Sequence, residues 1–246
     1  MKIVYLLFLS ALLSQQTIAS SSETMKEAEK VPLIIDSKEG LKCDREKMSC
    51  VAVGSVVVTK GPYEMHSNRA DAFMKKNETG KMEINRVEAH DDVRFFGLHG
   101  EKATADDAVY DLESQKITLS PGQGHQVVVW KNEYVLLSDN VDIYFKEDQD
   151  KKLQVDKIEA NGHVSMSSPD ELVEGHKAVF TPANKLVLVT GDVRVNRKEG
   201  QLRGPAAQVN LDTKVSKVLK DSNVSTGDRV RVYVYPEEVD KKAVQK

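Results

Sequence analysis

The sequence predicts an all-β fold of antiparallel strands assembled from repeated hairpins, and three observations carry that prediction. A short phrase recurs as Gly54-Ser55-Val56-Val57-Val58, Asp92-Val93-Arg94-Phe95, Gly162-His163-Val164-Ser165-Met166 and Gly191-Asp192-Val193-Arg194-Val195. About 14 to 16 residues after each valine comes an answering phrase: Ala70-Asp71-Ala72-Phe73-Met74, Ala108-Val109-Tyr110-Asp111-Leu112, Ala178-Val179-Phe180 or Ala207-Gln208-Val209-Asn210-Leu211. Within the phrases the apolar residues share one parity and the polar ones the other, the period-two signature of strands with one buried face. Turn signals separate the runs, and no segment keeps a 3.6-residue apolar pattern over three turns.

The elements follow in order along the chain. Residues 1–19 hold one positive charge, then the apolar run Ile3 to Leu13, too short for a bilayer span, and the small residue Ala19 at the end. That is the layout of a secretory signal peptide. No cysteine follows the run to receive a lipid, so the remainder reads as exported and soluble. Residues 20–30 form a polar leader, 31–236 one β-domain and 237–246 a charged tail. The formal net charge is −3, and −4 once Lys2 leaves with the signal. Nucleic acid is a poor partner for such a chain, because its affinity rests on dense phosphate neutralisation by Lys and Arg.

Cys43 and Cys50 come next. Placed opposite one another they pair Asp44 with Ser49 and Arg45 with Met48, leaving Glu46 and Lys47 as a two-residue turn. Counting by twos from Cys50 reaches Ala52, Gly54, Val56 and Val58, so both sulfurs should face inward. An exported chain meets an oxidising compartment, and a structural disulfide is the expected state. The spacing is not that of a metal or redox pair, and no metal site is expected.

The repeats then run to the C-terminus. A looser fifth copy falls between Val127-Val128-Val129 and Val141-Asp142-Ile143-Tyr144-Phe145. With it, Val56, Val93, Val128, Val164 and Val193 stand 37, 35, 36 and 29 residues apart. Such units cannot each bury an apolar face alone and must stack on their neighbours. Lys60-Gly61-Pro62, residues 77–80, 120–124, 168–170 and 198–200 read as turns between strands, with Gly122-Gln123-Gly124 as a hairpin tip. The first and last strands, Leu33 to Asp36 and Arg229 to Tyr235, are edges with unpaired backbone groups. In the last, Val230, Val232 and Val234 share one face, opposite Arg229, Arg231, Tyr233 and Tyr235.

Catalytic chemistry finds little support. The six histidines, His66, His90, His99, His125, His163 and His176, are scattered, and only His163 and His176 are placed to converge across a hairpin. Asp91-Asp92 and Asp106-Asp107 are neighbours that point to opposite faces of a strand, and read as turn acids. Gly122-Gln123-Gly124 lacks the strand-to-helix context of a phosphate loop. No serine sits in a nucleophile elbow, and no cofactor site is visible. The chain reads as a non-enzyme.

The alanines of the answering strands, Ala70, Ala72, Ala108, Ala178 and Ala207, leave two readings open. They make a tight dry core, the default for protein interiors, or they leave a groove wide enough for an acyl chain.

Further residues bear on that choice. Pro32-Leu33-Ile34-Ile35-Asp36, Gly54 through Gly61, Asn68-Arg69-Ala70-Asp71, Val173-Glu174-Gly175-His176, Leu188 through Val193 and Leu202-Arg203-Gly204, in this order, resemble the OstA/LptA family of periplasmic lipopolysaccharide-transport proteins, over about residues 31–236. The stretch 97–151 and the Cys43/Cys50 hairpin lie outside the motifs that carry the resemblance. It implies an OstA-like antiparallel β-jelly roll, open at both ends, whose copies stack edge to edge as a bridge between inner and outer membrane. It implies lipopolysaccharide in an apolar trough, an inner-membrane bitopic partner at one end, an outer-membrane translocon partner at the other, and head-to-tail self-association. By parity the trough wall would comprise Val56, Val58, Ala72, Val93, Phe95, Ala108 and Tyr110. Ile143, Val164, Met166, Phe180, Val193, Val195 and Val209 would complete it. Simple core packing is the plainer role for each. The edges that would pair are Leu33, Ile34 and Ile35 at one end and Val230, Val232 and Val234 at the other. Aspartate at Val58 or Phe95 is expected to block lipid contact and leave the domain folded. The second functional reading is a non-transporting structural β-repeat protein of the cell envelope, with a closed interior.

Overall fold

The structure, a computed structural model, describes residues 31–219 and 230–234. The expected signal peptide, the leader, the tail, Arg229 and Tyr235 lie outside the described residues.

Those residues form sixteen strands and no helix. In chain order these are β1 (Leu33–Asp36), β2 (Gly40–Asp44), β3 (Ser49–Lys60), β4 (Tyr63–Lys76), β5 (Met82–Phe96), β6 (Lys102–Asp111), β7 (Lys116–Ser120) and β8 (Val127–Lys131). After them come β9 (Tyr134–Ser138), β10 (Asn140–Glu147), β11 (Leu153–Ser167), β12 (Glu171–Thr181), β13 (Leu186–Arg197), β14 (Gly200–Asn210), β15 (Val215–Leu219) and β16 (Arg231–Val234). All pairings are antiparallel, in one continuous sheet.

The long strands bend in the middle, and the recurring phrase marks the bend. Gly54 and Ser55 together face Asn68, Asp91 and Asp92 face Asp106, Gly162 and His163 face His176, and Gly191 and Asp192 face Pro205. Two residues against one is a β-bulge, which turns the strand sharply. Both bulged residues are left-handed: φ is +77° and +47° at Gly54 and Ser55, +79° and +40° at Gly162 and His163, +87° and +46° at Gly191 and Asp192. Glycine and Asp are among the residues that visit this region at least cost, and in β5 two aspartates, at +62° and +54°, take both places.

Cut at these corners, the sheet becomes two facing layers. Layer A runs β1, the second half of β3, the first of β4, the second of β5, the first of β6, β8, β9, the second of β11, the first of β12, the second of β13, the first of β14, and β16. Layer B runs β2, the remaining halves in the same order with β7 and β10 at its centre, and β15. This is a β-jelly roll open at both ends.

Parity explains how both layers keep their apolar side inward. Across a two-residue corner it is retained: Ala52 and Val56, Ala89 and Val93, Ala160 and Val164 are all buried. Across a one-residue corner it flips, from Met65 and Ser67 to Ala70 and Ala72 in β4. Ser67 and Ser138 carry the same small motif, the hydroxyl donating to the carbonyl of Arg69 or Asn140 at 2.9 Å. Hence β9 and β10 are one long strand interrupted at Asp139, the counterpart of β4, and the fifth repeat is a structural copy. Its anchor is Val127, fully buried, rather than Val128.

Three local expectations are corrected. Residues 120–124 are not a hairpin tip: β7 and β8 do not pair, and 121–126 carry the chain from layer B to layer A. Asp91 and Asp92 form a corner within β5 rather than a turn. Beyond Asp44 the cysteine hairpin does not pair, since the Asp44 carboxylate accepts the N–H of Glu46 at 3.0 Å and of Lys47 at 3.1 Å and closes a four-residue turn, 45–48.

Candidate functional site

Side-chain size is graded from the corner row outward. Two residues from a corner, layer B places Ala52, Ala70, Ala89, Ala108, Ala160, Ala178 and Ala207, all buried. The layers converge there, and small side chains let them close. At the opposite margin they diverge and large rings fill the gap. The alanines therefore build a tight apex, and the open space lies elsewhere.

That space is a small cavity at the margin, lined by Val58, Tyr63, Met65 and Phe95 of layer A and Tyr110, Ile117, Phe145 and Leu153 of layer B, together with Leu33, Lys60 and Glu64. The turn at Gly61 and Pro62 sets Tyr63 opposite Lys60. A register shift between Tyr144 and Phe145 interrupts the pairing of β10 with β11, and the Phe145 N–H donates to the Gln115 carbonyl at 2.9 Å. The rings then cross between layers: Tyr63 meets Phe145 edge to face at 5.0 Å between centroids, and Phe95 meets Phe145 at 6.3 Å. Tyr63 and Phe95 stack at 6.0 Å, and Tyr110 lies 6.2 Å from Phe145. Offset and edge contacts of this kind add about 0.5–1.5 kcal/mol each beyond burial.

Burial keeps the two phenols of the cavity neutral. Burial pushes the Tyr110 phenol up to about 12. Burial raises Tyr63 as well, opposed by a backbone hydrogen bond from Val155 and reinforced by the Glu101 carboxylate. Both phenols stay protonated at any physiological pH. The Lys60 ammonium stands 5.4 Å from the Tyr110 ring centroid, a cation over an aromatic face.

Of the residues assigned to a trough wall, Val58, Phe95 and Tyr110 border this cavity. Val56, Ala72, Val93, Ala108, Ile143, Val164, Met166, Val193, Val195 and Val209 lie deeper, in the buried core, and Phe180 packs half-buried against it. Sequence reasoning missed Tyr63, Met65, Ile117, Phe145 and Leu153 as lining residues. Phe145 had a signal, since it continues the parity of Val141 and Ile143. The aspartate expectation is corrected: Val58 and Phe95 are each 3 % exposed, so a carboxylate there is buried without a partner and destabilises the fold.

The ends expose what the middle buries. Leu41 and Cys43 of β2 stand opposite Ala52 and Cys50, on the inward side, yet Leu41 is 51 % exposed because no further rung covers it. Cys43 is exposed for the same reason, and is disulfide-bonded to Cys50 with their Cα atoms 4.0 Å apart. In β1, Leu33 and Ile35 pack on the core while Ile34 is exposed. At the other end Val232 and Val234 pair with Leu202 and Gly200 and are 62 % and 74 % exposed, and Val230 just before the strand is exposed too. The edge β2 carries two charges, Lys42 and Asp44, whereas β1 and β16 carry one each, Asp36 and Arg231.

The histidines sit mainly at corners. His163 pairs with Asp139 at 2.7 Å, His125 with Asp106 at 2.9 Å and His90 with Asp107 at 2.6 Å. His163 and His176 do adjoin at one bulge. Among the described residues no group of three or more His, Cys, Asp or Glu is placed to hold a metal ion.

Comparison with known proteins gives two findings. A family model described as "LptA/(LptD N-terminal domain) LPS transport protein" matches residues 35–125 and again 123–235, the matches meeting in the layer-crossing loop. A crystal structure of LptH, described as the LptA homologous periplasmic component of the conserved lipopolysaccharide transport device from Pseudomonas aeruginosa, is similar at 12 % identity over 84 % of this chain and 96 % of that one, with a TM-score of 0.24. No curated protein matches.

Proposed function

The chain belongs to the LptA/(LptD N-terminal domain) LPS transport protein family, and from that premise we propose that it is a periplasmic bridge segment carrying lipopolysaccharide acyl chains between inner and outer membrane. The observation that carries this reading is the uncovered inward side at both ends, Leu41 at one and Val232 with Val234 at the other. An interior that stays apolar up to its last rung lets a chain pass to a neighbour without meeting water. Each exposed methylene would otherwise cost about 0.8 kcal/mol.

The acyl chains would run along the open margin, past Val58, Phe95, Tyr110 and Phe145, with the deeper assigned residues as packed wall. Residues 31–236 would act as one domain, exported by a signal peptide at 1–19. Strand addition at β1 and β16 would join it to a second copy, to an inner-membrane bitopic partner and to an outer-membrane translocon partner. The role requires binding and release alone, with no reaction. The fully buried apex favours the second reading, a structural β-repeat protein with a closed interior.

A photoreactive residue separates the two. At Phe145 or Phe95, in cells making lipopolysaccharide, it is expected to capture glycolipid, while the outward-facing Arg194 captures none. Absence of adduct at Phe145, Phe95 and Val195 alike would favour the structural role.

A further inference from the structure

Among the described residues one buried side-chain polar atom has no hydrogen-bond partner, the hydroxyl of Tyr110. Tyr110 is 3 % exposed and is one of the residues around the cavity. Of the other lining residues, Val58, Phe95, Ile117, Phe145 and Leu153 offer neither donor nor acceptor on their side chains, and the polar ones, Lys60, Tyr63 and Glu64, make no hydrogen bond to it. A buried hydroxyl left unpaired is a standing cost of the fold. Phenylalanine would fill the same place without it. A bare hydrocarbon occupant leaves the hydroxyl unpaired, whereas an occupant carrying oxygen at that depth removes the cost.

Resting on the acyl-chain reading above, we propose that Tyr110 is a specificity contact: its hydroxyl selects acyl chains bearing an oxygen acceptor, a hydroxyl or an ester carbonyl, over unsubstituted chains. The phenol, with its pKa pushed up by burial, remains a donor throughout the physiological range. The cation over the ring at Lys60 and the contact with Phe145 hold the ring in place.

The test uses dodecanoic acid and 3-hydroxydodecanoic acid as probes, competing against a fluorescent fatty acid on the purified protein. The native chain is expected to bind the hydroxylated probe about tenfold more tightly, the gain of one hydrogen bond to a formerly orphaned group. Tyr110→Phe is expected to bind both equally. Its melting temperature should match or exceed that of the native chain, which shows that the fold is intact. Equal binding of the two probes by the native chain, or a preference that survives Tyr110→Phe, overturns the inference and leaves the acyl-chain reading standing. Failure of both probes to bind the native chain overturns both.

Discussion

Gly191 lies beneath the side chain of His176: a Cβ on Gly191 would stand 2.7 Å from the His176 Cβ and 2.8 Å from its Nδ1. Gly162 lies likewise under Asp139, and Gly54 under Glu39. In each case a residue of the preceding segment closes over the corner glycine. Two constraints coincide there, a left-handed backbone and a space already filled. Gly191→Ala should therefore cost more than the ~1–2 kcal/mol of a left-handed non-glycine residue alone, since the His176 Cβ is attached to backbone and cannot swing aside. Gly80→Ala, with φ +79° and nothing within 4 Å, should cost the backbone part only. Urea midpoints at unchanged slope measure both, and equal losses would refute the covering role of His176.

These corners show how far the residues alone could be read. Val56, Val93, Val164 and Val193 announced the repeat because a left-handed corner wants Gly or Asp at its first position, two residues before a buried valine. That the phrase is a crossing between layers, rather than the first strand of a hairpin, was hidden. A two-residue corner keeps parity, so Ala52 and Val56 look like one uninterrupted strand face. The flip between Ser67 and Ala70 was the available clue. The alanines were ambiguous in the sequence because a small residue serves a tight apex and a wide groove equally well. Only the convergence of the layers at the corner row decides between them. Phe145 escaped because its contacts with Tyr63 and Phe95 span a sequence distance that no local pattern encodes.

Acid should loosen the margin of layer A through Glu101. Burial works to raise this carboxyl, but hydrogen bonds from Lys131, from its own backbone and from the His99 N–H, with the Lys131 charge, outweigh it and hold it below the ordinary 4.5. The Lys131 ammonium stands 2.5 Å from Oε1, and the carboxyl side chain is 15 % exposed. A depressed folded-state value means that the stabilisation is fully present above about pH 4.5 and is lost as pH falls through the folded value. Between pH 7 and pH 3 the urea midpoint of the native chain should fall by more than that of Glu101→Gln. Parallel decline of the two would show that Glu101 contributes nothing to the acid response.

The loop that replaces a corner between β7 and β8 depends on Asp106. Its carboxylate accepts the Gly122 N–H at 2.5 Å and approaches His125 Nδ1 at 2.9 Å. Those two contacts, the backbone one first, hold the carboxyl below its ordinary range. Asp106→Ala should speed amide exchange at Gly122 and open 121–126 to proteolysis, while the urea midpoint changes little because the loop contributes few apolar contacts. Unchanged exchange at Gly122 would mean that the loop is held by its ends alone.

Association should proceed through layer A rather than layer B. β2 presents Lys42 and Asp44, and natural edges use charge of this kind to refuse a further strand. β1 and β16 carry one charge each, Asp36 and Arg231, beside apolar residues open to solvent, Ile34, Val232 and Val234, and among the described residues each strand pairs on one side only. Val234→Lys places a charge where nothing is buried, so the melting temperature should hold, with a change in stability within about 0.5 kcal/mol as for other surface sites. Sedimentation should show the native chain growing in mass with concentration and the Val234→Lys chain remaining monomeric. Ile34→Lys, at the opposite end of the same layer, should act alike, because a head-to-tail contact needs both surfaces. Leu41→Lys on the already charged β2 should leave association unchanged. A reversed pattern, with Leu41→Lys blocking assembly and Val234→Lys not, would place the contact in layer B and make the disulfide-tied hairpin the docking strand.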